Sequence, residues 1–193
     1  PGAHTDEYIR VDLADPDSIR HAAAVIEGPV DGLCNVAGVP PTAGVDLVMK
    51  VNVLGLQQLT YELISKMSEG SAITNVASLA GAGWPGAVEQ VKEFQARANF
   101  DNLTDLCGEL EVDDSRSYFF AKEVLIIWTM QNRWTWREHG FRINCVSPGP
   151  VDTPILPDFL ASLGERAEKD KVVSRPGRPE DIAPLIAFMC SSG

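Results

Sequence analysis

Asp31-Gly32-Leu33-Cys34-Asn35-Val36-Ala37-Gly38 carries a short apolar run straight into small residues and a glycine. A central strand of an open α/β sheet ends this way at a ligand crevice, because small residues let a flat ligand approach the backbone. Working outward, strand-like runs recur at residues 8–11, 32–36, 72–77 and 142–147. The segments between them carry helical periodicity, longest at 45–67 and 117–138. Strands alternating with helices predict an α/β fold, a doubly wound parallel sheet covered on both faces. Asp15-Pro16 and Arg178-Pro179 each read as an N-cap followed by proline at the first helical position. Residues 84–113 break the alternation. They are too long for an unstructured loop, and Val88, Val91, Phe94 and Gln95 fall on one face of a helix expected over 88–98.

The composition narrows the function. A chain of 193 residues with 45% hydrophobic and 22% charged residues suits one globular domain, taken here as 1–193. A formal charge of -11 repels phosphate backbones and anionic lipid, so neither a nucleic acid nor a membrane surface is an expected partner. No stretch is apolar for long enough to span a bilayer, and the start does not read as a signal peptide, so the default expectation is cytoplasmic. Cys34, Cys107, Cys145 and Cys190 form no C-x-x-C pair and read as buried free thiols of a reducing compartment. His4, His21 and His139 lie far apart with no spaced acidic or thiol partner, and no metal site is expected.

Tyr118 and Lys122, four apart in Tyr118-Phe119-Phe120-Ala121-Lys122, fall on one helix face. A tyrosine working as acid/base near neutral pH needs its pKa of about 10 brought down by roughly three units, or ~4 kcal/mol. A cation about 4 Å away at an effective dielectric of ~20 supplies about that much. Alone, such a pair recurs by chance as an aromatic packed beside a surface lysine. Its company is more specific. Ser78 ends the strand Ile73-Thr74-Asn75-Val76-Ala77, and Pro148-Gly149-Pro150-Val151-Asp152-Thr153 follows the strand at 142–147 as a rigid turn. With the Asn35 turn, these features from separate strand–helix units converge on the carboxyl edge of one sheet.

In this order the elements resemble the short-chain dehydrogenase/reductase family, over essentially the whole chain. Residues 31–40, Gly83-Trp84-Pro85 and residues 123–129 look most like its branch containing coniferyl-alcohol dehydrogenase and 3α-hydroxysteroid dehydrogenase/carbonyl reductase. The resemblance implies a Rossmann-type sheet and an NAD(P)-dependent oxidoreductase that interconverts an alcohol and a carbonyl on a small apolar, ring-bearing substrate. By the same resemblance Tyr118 is the general acid/base, Lys122 lowers its pKa and holds the nicotinamide ribose, Ser78 binds the substrate oxygen, and Asn52 supports a proton-relay water. Asp12 and Leu13 resemble the adenine-contacting pair. Asn35, Ala37 and Gly38 would flank the cofactor, with Pro148, Gly149, Val151 and Thr153 near the nicotinamide. Trp84, Phe94, Ile155, Leu156 and Phe159 are expected to line the substrate pocket, with ordinary packing as the plain alternative.

The family's glycine-rich first turn has no counterpart before Asp12. The expectation is therefore a partial domain, with the first two strands and the last strand absent. NAD is the expected cofactor and NADP stays open. Family members commonly assemble as homodimers or homotetramers through the helices over 45–67 and 117–138, a contact that the segment 84–113 must either join or obstruct. Two rival readings are a non-catalytic binding module on the same scaffold and a sugar-nucleotide epimerase or dehydratase.

Overall fold

The computed structural model describes residues 7–163 and 175–191. Three parallel strands form one sheet in the order β1 (Val30–Asn35), β2 (Met67–Val76), β3 (Arg142–Val146). Their register sets Asn35 beside Asn75 and Asn75 beside Cys145. Successive side chains point to opposite faces of a strand, so each face has its own cover.

On the face of Leu33, Asn35, Ile73 and Asn75 lie α3 (Leu56–Ile64) and α6 (Asp114–Glu138). On the face of Gly32, Cys34 and Thr74 lies α8 (Pro179–Cys190), whose Cys190 touches all three. This is the two-sided α/β architecture expected. The middle of helix α6, residues 117–130, is buried nearly all round. Leu125 and Trp128 pack toward the sheet with Ile73, while Phe120, Val124 and Ile127 pack away from it with Val53, Val91 and Phe94. Such a helix shows little amphipathic periodicity because both sides are interior.

Both expected helix starts are present: Pro16 follows the cap Asp15, and Pro179 follows Arg178, whose amide donates to Asp181 Oδ2 at 2.7 Å. The Asp15 side chain accepts from the Asp17 amide at the start of α1 (Pro16–Val25), and Asp113 does the same for the Arg116 amide at the start of α6.

Three expectations need correction, and one, the helix within 84–113, is borne out and extended. Residues 8–11 form no strand: β1 is an edge of the sheet among the described residues, and an apolar run without a neighbour has no ladder to join. The helix expected over 45–67 is α2 (Val45–Met49), a π-turn at Lys50–Gly55 and then α3, and Met67 already belongs to β2. The segment 84–113 holds two helices, α4 (Trp84–Arg97) and α5 (Leu103–Glu109), packed on α6 and α2. Of the four cysteines expected to be buried only Cys107 is; Cys145 and Cys190 are half-buried, and Cys34 is exposed on the edge strand, its sulfur partly covered and 3.5 Å from that of Cys190, which together raise its thiol to about 11.

Candidate active site

The carboxyl ends of the strands open into a cavity of about 580 Å³. Beneath it, Asn35 Nδ2 donates to Thr60 Oγ1 on α3 at 3.0 Å and to Asn75 Oδ1 at 2.9 Å. Asn75 Nδ2 donates onward to Thr129 Oγ1 on α6 at 2.9 Å. All four residues are buried, so their bonding groups must be paired, and the chain of bonds ties both helices to the sheet under the site. Asn35 therefore faces away from the cavity, as its strand parity requires, and does not flank a ligand there. Ala37 is not on the wall either; Val36 and Gly38 are.

Asn52 sits in the π-turn and is 1% exposed. Its Oδ1 accepts from the Val39 amide at 2.8 Å and its Nδ2 donates to the Val39 carbonyl at 3.0 Å. The amide thus clasps the turn that follows β1. A Cβ at Gly38 would stand 3.1 Å from Asn52 Oδ1, which is why the turn carries a glycine.

Ser78 follows β2, and its Oγ accepts from the Ala80 amide at 3.1 Å, capping the 3₁₀ turn Leu79–Gly83. That turn is pressed onto α6: a Cβ at Gly81 would lie 2.7 Å from Ile126 Cδ1 and 3.0 Å from the Lys122 carbonyl. A bond of 2.8 Å from the Leu79 amide to the Pro148 carbonyl joins the turn to the segment after β3. Ser78 and Tyr118 thereby reach the same cavity wall from different strand–helix units.

Tyr118 is 7% exposed, edge-on to Phe159 of α7 (Leu156–Leu163) at 4.7 Å between ring centres. Lys122 Nζ donates to the Val76 carbonyl at 2.9 Å and stands 5.5 Å from the centre of the Tyr118 ring. The expected lowering of the Tyr118 pKa does not occur here. Burial pushes the phenol up to about 12, with the Ser78 hydroxyl pulling partway back. Burial also drives the Lys122 ammonium down to about 8. Desolvation disfavours the charged form of each group and outweighs the Ser78 hydroxyl on Tyr118 and the Cys145 sulfur on Lys122.

Pro148, Gly149, Val151 and Thr153 lie along the wall, and Ile155, Leu156 and Phe159 continue it. The Asp152 amide donates to the Gly177 carbonyl at 2.7 Å, which holds this segment beside the start of α8. Sequence reading missed Ile182, Ala183 and Ile186 of α8, which form the opposite wall; their i, i+1, i+4 spacing was the available signal.

Four expected residues lie elsewhere. Asp12 caps a turn before α1, with Oδ1 accepting from the Ala14 amide at 2.9 Å, and the Leu13 carbonyl packs on Gly55. Neither is on the cavity wall. Phe94, 1% exposed and edge-on to Phe120 at 5.5 Å, is core, and Trp84 packs against the same cluster. They face inward because α4 lies flat on α6 rather than over the crevice.

Among the described residues Lys122 is the one charged side chain on the cavity wall. Among them, too, no three histidine, cysteine or acidic side chains gather to hold a metal, and no helix is long and apolar enough to cross a membrane. Lys122 has three N–H donors and gives one of them to the Val76 carbonyl; an ammonium with donors to spare on a cavity wall fits ribose hydroxyls.

The sequence matches the short chain dehydrogenase family over residues 3–89 and the enoyl-(acyl carrier protein) reductase family over residues 87–193. It is 38% identical to coniferyl-alcohol dehydrogenase from Pseudomonas sp. strain HR199, over 99% of this chain and 76% of that protein. It is 27% identical to 3-alpha-hydroxysteroid dehydrogenase/carbonyl reductase from Comamonas testosteroni, over 96% of this chain and 77% of that protein. The fold superimposes on a 3-alpha-hydroxysteroid dehydrogenase from Pseudomonas sp. B-0831, crystallised with NADH, with a TM-score of 0.82 and 29% identity over 94% of this chain and 75% of the other. Matches that together span the chain, on a sheet whose carboxyl edge gathers Ser78, Tyr118 and Lys122, place it in the short-chain dehydrogenase/reductase family of NAD(P)-dependent oxidoreductases.

Proposed function

We propose that this chain interconverts an alcohol and a carbonyl on an uncharged, apolar, ring-bearing substrate, with Tyr118 as general acid/base. The observation that carries this is the wall itself: Ser78 and Tyr118 meet on an otherwise apolar surface whose one charged side chain among the described residues is Lys122. Among the described residues the wall has no arginine or histidine, and Lys122, assigned here to the cofactor ribose, is its one cation, so a substrate carboxylate would be left unpaired there, and an unpaired charge is costly to desolvate. The names of the relatives, an aromatic alcohol dehydrogenase and hydroxysteroid dehydrogenases, support a ring-bearing alcohol.

In this reading the substrate oxygen sits between the Ser78 and Tyr118 hydroxyls. Tyr118 gives its proton to the oxygen when a carbonyl is reduced and takes one when an alcohol is oxidised. Ser78 holds the oxygen in place, and the Asn52 clasp and the Asn35–Asn75–Thr129 chain keep the surrounding backbone fixed. Lys122 would hold the cofactor ribose with its remaining donors, and Gly38, Pro148, Gly149, Val151 and Thr153 would flank the cofactor. The cofactor supplies or takes up the hydride. NAD is proposed because the Pseudomonas sp. B-0831 enzyme, on which the fold superimposes, carries NADH. We also propose assembly as a homodimer or homotetramer, checked by the mass in solution.

The test is turnover of a panel of neutral and carboxylate-bearing aldehydes of equal size, followed by NAD(P)H absorbance, with the Tyr118→Phe variant alongside. Loss of nearly all turnover with cofactor binding retained is expected. Turnover of the variant within a few-fold of the parent would rule out the assigned role.

A further inference from the structure

Resting on the dehydrogenase reading, we propose that Phe159 is an aromatic cover on Tyr118 that a substrate ring must displace. It thereby selects substrates with a planar aromatic ring over those with a saturated ring of the same size. The Phe159 ring stands edge-on to Tyr118, with centres 4.7 Å apart and planes at 73°. Tyr118 is 7% exposed and Phe159 is one of the side chains that cover it, so the group assigned to proton transfer is shielded in this state. Phe159 is itself only half-buried and rides on α7, one face of which, Ile155, Leu156 and Phe159, forms part of the cavity wall. Helix α7 packs on the turn Pro41–Ala43, and Thr42 Oγ1 lies 3.4 Å from Asp158 Oδ1, the residue beside Phe159. The cover is thus attached across the mouth of the site to the turn that follows β1.

A substrate whose oxygen is to meet Ser78 and Tyr118 must take the place of the Phe159 ring edge. Edge-to-face contact depends on the ring quadrupole, with the positive edge of one ring on the negative face of the other. An incoming aromatic ring can replace that interaction on Tyr118 and offer its own surface to the displaced Phe159. A saturated ring of the same volume fills the space but has no quadrupole to offer either side chain. The exclusion of water by Phe159 is consistent with the direction in which burial moves the Tyr118 phenol. The selected class is an aromatic alcohol or aldehyde in preference to a hydroxysteroid, whose rings are saturated.

The experiment compares reduction of 3-phenylpropanal and 3-cyclohexylpropanal, whose carbonyls are alike and whose rings differ, by the parent chain and by Phe159→Leu and Phe159→Tyr. Equilibrium binding of the two corresponding alcohols is measured in parallel by tryptophan fluorescence. The parent is expected to favour the phenyl compound by about fivefold in kcat/KM, mostly through KM, which is the scale of one ring pair. Phe159→Leu is expected to bring the ratio to within about twofold of unity, and Phe159→Tyr to restore it. A parent without ring preference, or a Leu variant that keeps it, overturns the proposal. If neither aldehyde is turned over, the alcohol-binding ratio decides the cover alone, and the failure belongs to the hydride-transfer reading. Should Phe159→Leu not fold, Phe159→Met decides instead: it keeps the apolar volume and removes the ring. A reduced ratio supports the cover and an unchanged one overturns it.

Discussion

Lys122 Nζ stands 5.5 Å from the centre of the Tyr118 ring, and the hydrogen bond that anchors it goes to the Val76 carbonyl at 2.9 Å rather than to the phenol. The two groups that sequence spacing pairs as acid and cation are each held toward neutrality by burial. This arrangement has consequences for stability as well as for catalysis.

Lys122 has a folded pKa near 8 against an ordinary 10.5. A depressed pKa contributes stability that is present above the unfolded value and is lost as pH falls through the folded one. At pH 7 the folded chain therefore carries the full cost of a buried ammonium. Lys122→Met is expected to abolish turnover and to raise stability at pH 7 by about 2–3 kcal/mol. The gain should shrink as pH rises from 8 toward 10.5. Urea melts across that range check this; equal stability of parent and variant at pH 7 would count against it.

Alcohol oxidation needs the Tyr118 phenolate, and burial holds the phenol near 12. The oxidation rate is expected to climb steadily through the alkaline range, with chemistry shown to be rate-limiting. The raised pKa also means stability is full below the ordinary value of 10 and declines from there through 12. A rate profile flat from acid to alkaline pH would contradict the role.

Gly81 lets the Ser78 turn touch the α6 backbone. Gly81→Ala places a methyl 2.7 Å from Ile126 Cδ1 and 3.0 Å from the Lys122 carbonyl, so the turn must lift away. The expected cost is about 1–3 kcal/mol of stability. Because the turn carries Ser78, kcat/KM should also fall by more than about tenfold through misalignment. Gly86→Ala, in helix α4 where nothing lies within 4 Å, serves as the control: it should leave kcat/KM unchanged and raise stability by up to about 1 kcal/mol rather than lower it.

Asn52→Ala removes two bonds to the Val39 backbone in a site 1% exposed. Leaving the partly buried Val39 amide and carbonyl unpaired is expected to cost about 1–3 kcal/mol in thermal or urea unfolding. A loss under ~0.5 kcal/mol would show that water replaces the clasp without penalty.

Phe94→Ala is expected to cost about 3–5 kcal/mol, as a core truncation does, with no change in substrate preference. Replacing 84–112 by a linker would remove Val91, Phe94, Leu103, Leu106 and Val112 from the core and should unfold the chain. A folded linker variant would show that α4 and α5 are an appendage.

Alternation of strand-like and helix-like runs determined the layered α/β architecture, because periods of two and 3.6 residues are local properties that burial on both faces of a sheet demands. The strand ends placed Ser78 and the Pro148 turn at one edge, and helix spacing placed Tyr118 with Lys122, all from positions along the chain. Tertiary structure alone decided which side chains turn into the cavity. Asn35 and Asn52 stand at expected strand-end and helix positions, yet their amides are used up on Thr60, Asn75 and Val39. Phe94 and Phe159 are both aromatic residues on helices near the site. One is core and the other covers Tyr118, according to whether its helix lies on α6 or beside the crevice. The pKa values of Tyr118 and Lys122 also required the fold. Spacing predicts a charge pair, but its sign of action depends on how much water burial removes, and burial is set by residues distant in the chain.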